Sequence, residues 1–338
     1  MFPARGEVQS MSRLTRLRLA TGAATAVAAA VVLTASPAVA GEPAVSQPHI
    51  VAHFDLAAGQ SPENIAVEPD GSADLTFASA RQIAHVTPDG HTTIRATLPD
   101  EPDANTPNLK AATVFGIARA HDGTLYVDYA TGTGKTGIWR IDPDGGTPRQ
   151  IAQLPATALP NGLALDERHG LLYAADSVQG AVWRVPQAGG TPTVWAKDTA
   201  LDPVPVTGAG FGANGVKIHG GAVWVSNSDR GTLLRIPVRP NGSAGTVETR
   251  ATGLDHIDDF TFATPRGDTV LAALIGDDEV AEVHPDGTHT AVLTHADGLS
   301  NPTSLAVHDG TVYVDSAAYF TRQDPNLLLA RLSCEDGL

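Results

Sequence analysis

The chain has 338 residues, with 22 Lys plus Arg against 37 Asp plus Glu, a formal net charge of −15, and 42% hydrophobic residues. That hydrophobic share supports a packed core and excludes a disordered chain, while the acidic balance excludes binding of nucleic acid or anionic lipid through bulk charge. A single cysteine, Cys334, excludes an internal disulfide and a Cys-rich zinc site, and 34 Gly with 24 Pro point to many turns and few long helices.

The N-terminal segment reads as an export signal. Arg13, Arg16 and Arg18 precede an apolar stretch from about Ala20 to Leu33, and Ser36-Pro37-Ala38-Val39-Ala40 supplies a small-residue cleavage site before Gly41. Residues 1–40 are therefore expected to be a secretory signal cleaved after Ala40, with Met1 or Met11 as the start. The apolar run is shorter than the ~20 residues a membrane span needs. The expectation is a secreted protein with no stable membrane anchor after cleavage, whose residues 41–338 form one domain.

Next comes His49-Ile50-Val51-Ala52-His53-Phe54-Asp55-Leu56, a strand-like run. One unit then recurs six times: an apolar strand, a tight turn, a strand rich in Tyr, Trp and Val, a polar loop, a third strand, a second turn and a fourth strand. The copies open at Pro62-Glu63-Asn64-Ile65, Val114-Phe115-Gly116-Ile117, Pro160-Asn161-Gly162-Leu163, Ala213-Asn214-Gly215-Val216, Ile257-Asp258-Asp259-Phe260 and Pro302-Thr303-Ser304-Leu305. Their second positions recur at intervals between 44 residues (Asn214 to Asp258) and 53 residues (Asn161 to Asn214). Four antiparallel strands at this period are the signature of a propeller blade. The expected fold is all-β, a six-bladed β-propeller of four-stranded antiparallel blades. The sixth copy ends near Leu332 after three strands, so the run 49–56 is expected to supply its fourth and close the ring.

In such a ring the first strand of each blade is innermost, which puts the second positions at one mouth of the central channel: Glu63, Phe115, Asn161, Asn214, Asp258 and Thr303. Carboxylate and amide oxygens of this kind suit a hard divalent cation. The expected ligands are Glu63, Asn161, Asn214 and Asp258; the expected ion is Ca²⁺, with Zn²⁺, Mg²⁺ or Mn²⁺ as alternatives. Asn161, Phe115 and Thr303 are the candidate substrate contacts. The plainer alternative, that Asn and Asp before Gly are turn residues, covers Asn161-Gly162 and Asn214-Gly215 but not Glu63 or Asp258-Asp259.

Asp176 and Asn227 end second strands and are expected to orient Asn161 and Asn214 from behind, with Asp259 as a further supporting carboxylate. His256 reads as an acid/base or as a solvated residue. The longer connections 98–112 and 197–212 enter first strands from the channel mouth, as determinants of substrate choice or as tolerated insertions. Ser177, Ser226 and Ser228 lack a G-x-S-x-G context, so a serine hydrolase is unsupported.

The six-blade pattern, with Pro62-Glu63, Pro160-Asn161-Gly162, Ala213-Asn214-Gly215 and Asp258 in the matching blades, resembles the senescence-marker-protein/gluconolactonase/luciferin-regenerating-enzyme (regucalcin-like) family over about residues 50–332. The resemblance implies a propeller with one divalent cation in its channel and hydrolysis of lactones and related esters. It implies Glu63, Asn214 and Asp258 as metal ligands, Asn161 on substrate or on the metal through water, and Asp258 as catalytic base, with Asp259 the alternative base. Two departures bear on the substrate: Asp259 stands where the family usually has Gly, and Ala158-Leu159-Pro160 lacks the Arg of the sugar-lactone members. A more apolar lactone or ester packed against Phe115 or Phe211 is the competing expectation. The reading is a monomeric, secreted, metal-dependent lactonase or esterase acting on a small molecule. Its alternatives are a non-catalytic propeller that binds a protein or glycan around a structural cation, and a strictosidine-synthase-like or lyase propeller.

Overall fold

The structure, a computed structural model, describes residues 44–205 and 210–333. The expected export signal at 1–40 and Cys334 lie outside the described residues. Six four-stranded antiparallel sheets make six blades, at residues 62–97, 113–153, 160–197, 213–251, 257–293 and 302–332. In the first five, the strands pair in chain order. The sixth takes its outermost strand, Val45–His53, from the other end of the chain, where it pairs antiparallel with Asn326–Leu332. This closing strand starts and stops earlier than the expected 49–56. Asp55 turns the chain by accepting from the backbone N–H groups of Ala57 and Ala58, which starts a short 3₁₀ turn at Leu56–Ala58. No helix among the described residues is long and apolar enough to cross a membrane.

The blades are held by alternation. Second strands are buried on both faces, so their side chains feed the two neighbouring interfaces in turn. The result is one apolar cluster per blade interface. Tyr173, Val182 and Trp195 of blade 3 meet Val216, Val223 and Ile236 of blade 4, and five further clusters repeat this around the ring. The D-G hairpins fit because their Gly adopts a left-handed backbone, as at Gly71 (φ 83°) and Gly123 (φ 86°).

One irregularity repeats in every blade. The pairing of the first strand with the second slips at its start: between Pro62 and Asn64, Val114 and Ile117, Pro160 and Leu163, Ala213 and Val216, Ile257 and Phe260, and Pro302 and Ser304. A bulge leaves a residue unpaired and re-aims its side chain. All six second positions sit in these bulges. Gly116, Gly162 and Gly215 follow three of them without a positive φ, so they are not turn glycines. They permit close approach between neighbouring inner strands: a Cβ on Gly162 would lie 2.4 Å from the Asn214 carbonyl oxygen, and one on Gly116 2.5 Å from that of Asn161.

Candidate metal and substrate site at the channel mouth

The bulges deliver five of the six second positions, Glu63, Phe115, Asn161, Asn214 and Asp258, to the lining of one cavity of about 460 Å³. All five side chains are otherwise buried. Thr303, the sixth, does not line it. Its Oγ1 donates to the Pro62 carbonyl at 3.0 Å, tying blade 6 to blade 1.

The two amides are held from behind by serines. Asn161 Nδ2 donates to Ser177 Oγ at 3.2 Å, and Ser177 donates on to the Ala213 carbonyl at 2.8 Å. Asn214 Nδ2 donates to Ser228 Oγ at 2.8 Å and to Asp258 Oδ1 at 2.7 Å, and Ser228 donates on to the Ile257 carbonyl at 2.7 Å. With their nitrogens engaged, both amides keep an oxygen that accepts no hydrogen bond among the described residues. Asp176 and Asn227, expected in that supporting role, face the other way because strand side chains alternate. Asp176 accepts from the N–H groups of Leu159, Val178 and Gln179 and from Trp183 Nε1. Asn227 donates to the Ala200 and Asp202 carbonyls. Both anchor loops, and the serine one residue further on does the orienting.

Charge is concentrated at the cavity floor. Burial above all, with the Asp259 charge adding to it and the Tyr319 hydrogen bond opposing, pushes Glu63 up to about 7. Burial, then the charges of Glu63 and Asp259, push Asp258 well above the usual carboxylate range. Asp259 lies outside the cavity lining, where its Oδ2 takes hydrogen bonds from Asn64 Nδ2 (3.1 Å), Ser304 Oγ (2.8 Å) and the Lys217 ammonium. Its Oδ1 is buried without a partner. Glu63 and Asp258 with two amide oxygens, a further carboxylate from Asp229, and no ammonium or guanidinium at the lining make an oxygen-donor set without a cationic partner. That chemistry fits one divalent cation.

Tyr319 was not legible as a site residue. It comes from the loop between the second and third strands of blade 6, and its phenol donates to Glu63 Oε2. Burial beside the Glu63 charge raises it well above its ordinary value, so it stays a donor. Length was the available signal: this connection, residues 317–325, is among the longer ones between second and third strands. The two long connections reach the cavity through Leu109, Ala111 and Phe211, joined by Asn108 Nδ2 donating to the Gly210 carbonyl at 2.7 Å. His256 is exposed at the rim with a left-handed backbone (φ 55°).

Among the described residues, Glu68, Asp74 and His85 form another cluster of ligating type, with ligand atoms within 4.8 Å of one another. Two guanidiniums already serve it: Arg95 Nη1 lies 3.0 Å from Glu68 and 2.7 Å from Asp74, and Arg119 pairs with Glu68. It is an ion-pair knot between blades 1 and 2.

No protein-family model and no curated protein matches the chain. Solved structures do match its fold. A calcium-binding regucalcin from Agrobacterium tumefaciens superposes with a TM-score of 0.63 at 14% identity, covering 86% of this chain and 96% of that one. A gluconolactonase from Xanthomonas campestris gives 0.60 at 17% identity, covering 86% and 97%. A virginiamycin B lyase from Staphylococcus aureus gives 0.55 at 17% identity, covering 85% and 99%. At these identities the likeness is one of fold: the chain is a six-bladed propeller similar to regucalcin- and gluconolactonase-type proteins.

Proposed function

We propose that the chain is an exported, divalent-cation-dependent hydrolase of lactones or related esters. The observation that carries this is the bulge-built ring, in which Glu63, Asp258 and the oriented amides of Asn161 and Asn214 face one cavity. The regucalcin and gluconolactonase neighbours support the reaction class, and the basic–apolar–small pattern of residues 1–40 supports export.

Glu63, Asn214 and Asp258 would hold the cation, with Asn161 as fourth ligand or substrate contact. A cation there supplies Lewis-acid polarisation of the carbonyl and stabilises the developing oxyanion. The chain's own residues do the rest. Asp258, at the cavity floor, takes the proton of the attacking water. Asp259 is the weaker base candidate, because it lies outside the cavity lining and three donors occupy its Oδ2. Tyr319 keeps Glu63 in place, Phe115 packs the substrate's apolar surface, and the buried floor limits water to the reacting position.

The test is a panel of lactones and aryl esters with and without chelator, alongside Asp258→Ala. Chelator-sensitive hydrolysis is expected, and Asp258→Ala should lose at least about a hundred-fold in turnover and bind cation more weakly. Wild-type turnover by that variant sinks the assignment. Cation binding without hydrolysis of any substrate points to the non-catalytic propeller. Release of an unsaturated product without uptake of water points to a lyase, with exposed His256 at the rim as its candidate base.

A further inference from the structure

Beyond the reacting group, the cavity wall is mainly apolar, with Asp229 and His256 as its ionisable members. Leu109, Phe115, Phe211, Ile275 and Phe320 line it above the polar floor. Among the described residues only four large hydrophobic side chains are exposed, and two of them, Leu109 (42%) and Phe320 (68%), stand on this lining. Exposed apolar surface concentrated at a cavity marks a binding site, whereas scattered single residues do not.

Phe320 is held in that exposed position by its loop. Its N–H and that of Thr321 both donate to Asn301 Oδ1, at 2.8 and 2.9 Å. Ser300 Oγ bonds Thr321 Oγ1 at 2.7 Å and the Gln323 carbonyl at 2.5 Å. Ala318, Arg322 and Asp324 adopt left-handed backbones (φ 56°, 56° and 54°), a cost that side chains with a Cβ bear only when the surroundings impose it. On one side of Phe320, Tyr319 is fastened to Glu63. Leu109 is seated similarly: Thr106 Oγ1 donates to the Ala111 carbonyl at 3.0 Å, and neighbouring Asn108 is tied to Gly210. The lining holds no Lys or Arg, so neither a sugar acid nor a phosphate would find a cationic partner on this wall.

We infer that the substrate carries an alkyl chain or aromatic ring beside its lactone or ester group, and that Phe320 and Leu109 are the residues that select for it. This rests on the proposed hydrolase reading for the reacting group only; the apolar cup is an independent observation. It commits the site to hydrophobic lactones over polyhydroxy ones.

The experiment has two arms on the cation-loaded protein. In the kinetic arm, kcat/KM is measured for γ-lactones with alkyl chains of rising length and for glucono-δ-lactone. The expectation is a rise of about three- to four-fold per methylene over the first several carbons, with glucono-δ-lactone poorest. Phe320→Ala and Leu109→Ala should each compress the long-to-short ratio of kcat/KM by about ten-fold. Both side chains are exposed, so neither variant threatens folding. In the binding arm, non-hydrolysable 2-alkylcyclopentanones are titrated calorimetrically, and affinity should rise with chain length in the wild type and less so in the variants. Turnover that is flat or falling with chain length overturns the hydrophobic-substrate inference and leaves the hydrolase reading standing. No turnover, but chain-dependent ketone binding, overturns the hydrolase reading and upholds the cup. Neither turnover nor ketone binding overturns both.

Discussion

Asp128 shows how much a single side chain depends on its register. In the second strand of blade 1, the residue at that register is Thr76, whose Oγ1 donates to the Phe115 carbonyl of the next blade at 2.7 Å. In blade 4 it is Ser226, whose Oγ donates to the Asp258 carbonyl. Each hydroxyl thus holds the neighbouring blade at its cavity-lining position. Blades 2 and 6 place Asp128 and Asp315 there, fully buried and with neither oxygen hydrogen-bonded. Burial raises both well above the usual carboxylate range, the Asp176 charge adding to it for Asp128 and the Glu63 and Asp259 charges for Asp315. A protonated carboxyl has the O–H that Thr76 and Ser226 supply. The sign of the pH effect follows: a carboxyl whose folded value is raised contributes stability below the ordinary carboxylate range and loses it as pH rises through the folded value. Asp128→Asn, which keeps the shape and cannot ionise, should gain thermal stability relative to wild type as pH is raised from about 5 to about 9. Parallel melting-temperature curves for the two proteins over that range would show that burial does not hold the Asp128 carboxyl protonated in the folded state.

Among the elements, the bulged inner strand decides whether there is a site at all. A regular strand would alternate its side chains between the two blade interfaces, and the bulge turns the second position into the channel instead. Glycine after the bulge lets the next inner strand come close enough for Asn214 to reach both Ser228 and Asp258. Gly162→Ala tests this, since its Cβ would meet the Asn214 carbonyl oxygen at 2.4 Å and the Val216 nitrogen at 2.8 Å, both backbone atoms with little freedom to yield. The expected cost is about 2–3 kcal/mol of stability, seen as a lower melting temperature, together with weaker cation binding by calorimetry because Asn214 is displaced. An unchanged melting temperature would mean that the inner strands are not in tight contact.

At the scale of the whole molecule, the ring brings carboxylates of blades 1 and 5 together although 195 residues separate Glu63 from Asp258. Each burial interface is local to two adjacent blades, but the charge at the centre joins blades 1 and 5, which are not adjacent. Val45–His53 completes the sixth blade from the other end of the chain. The uncompensated charge costs stability, so a bound cation should return it. Chelation should lower the melting temperature by about 5 °C, from a linkage of ~2.7 kcal/mol at a hundred-fold excess of free cation over Kd. The shift should vanish in Asp258→Ala. A wild-type melting temperature that ignores both chelator and added Ca²⁺, Mg²⁺, Mn²⁺ or Zn²⁺ would remove the cation from this channel.

Six copies of one strand–turn pattern were enough, as sequence, to determine the blade count, that a strand from before the first copy closes the ring, and five of the six positions that line the cavity. Periodic burial and turn chemistry are local, and a chain repeats them wherever the same packing is required. The long connections also stood out as departures from that period. What tertiary structure alone decided is how the side chains around those positions divide their work. It assigned the amide-orienting role to Ser177 and Ser228 and left Asp176 and Asn227 on the loops, because a one-residue step along a strand reverses the face. It took Thr303 out of the cavity and brought in Tyr319 and Phe320 from a connection whose residues carry no periodic signal. Such groups meet through bulges, pinned loops and ring closure, all long-range consequences of packing.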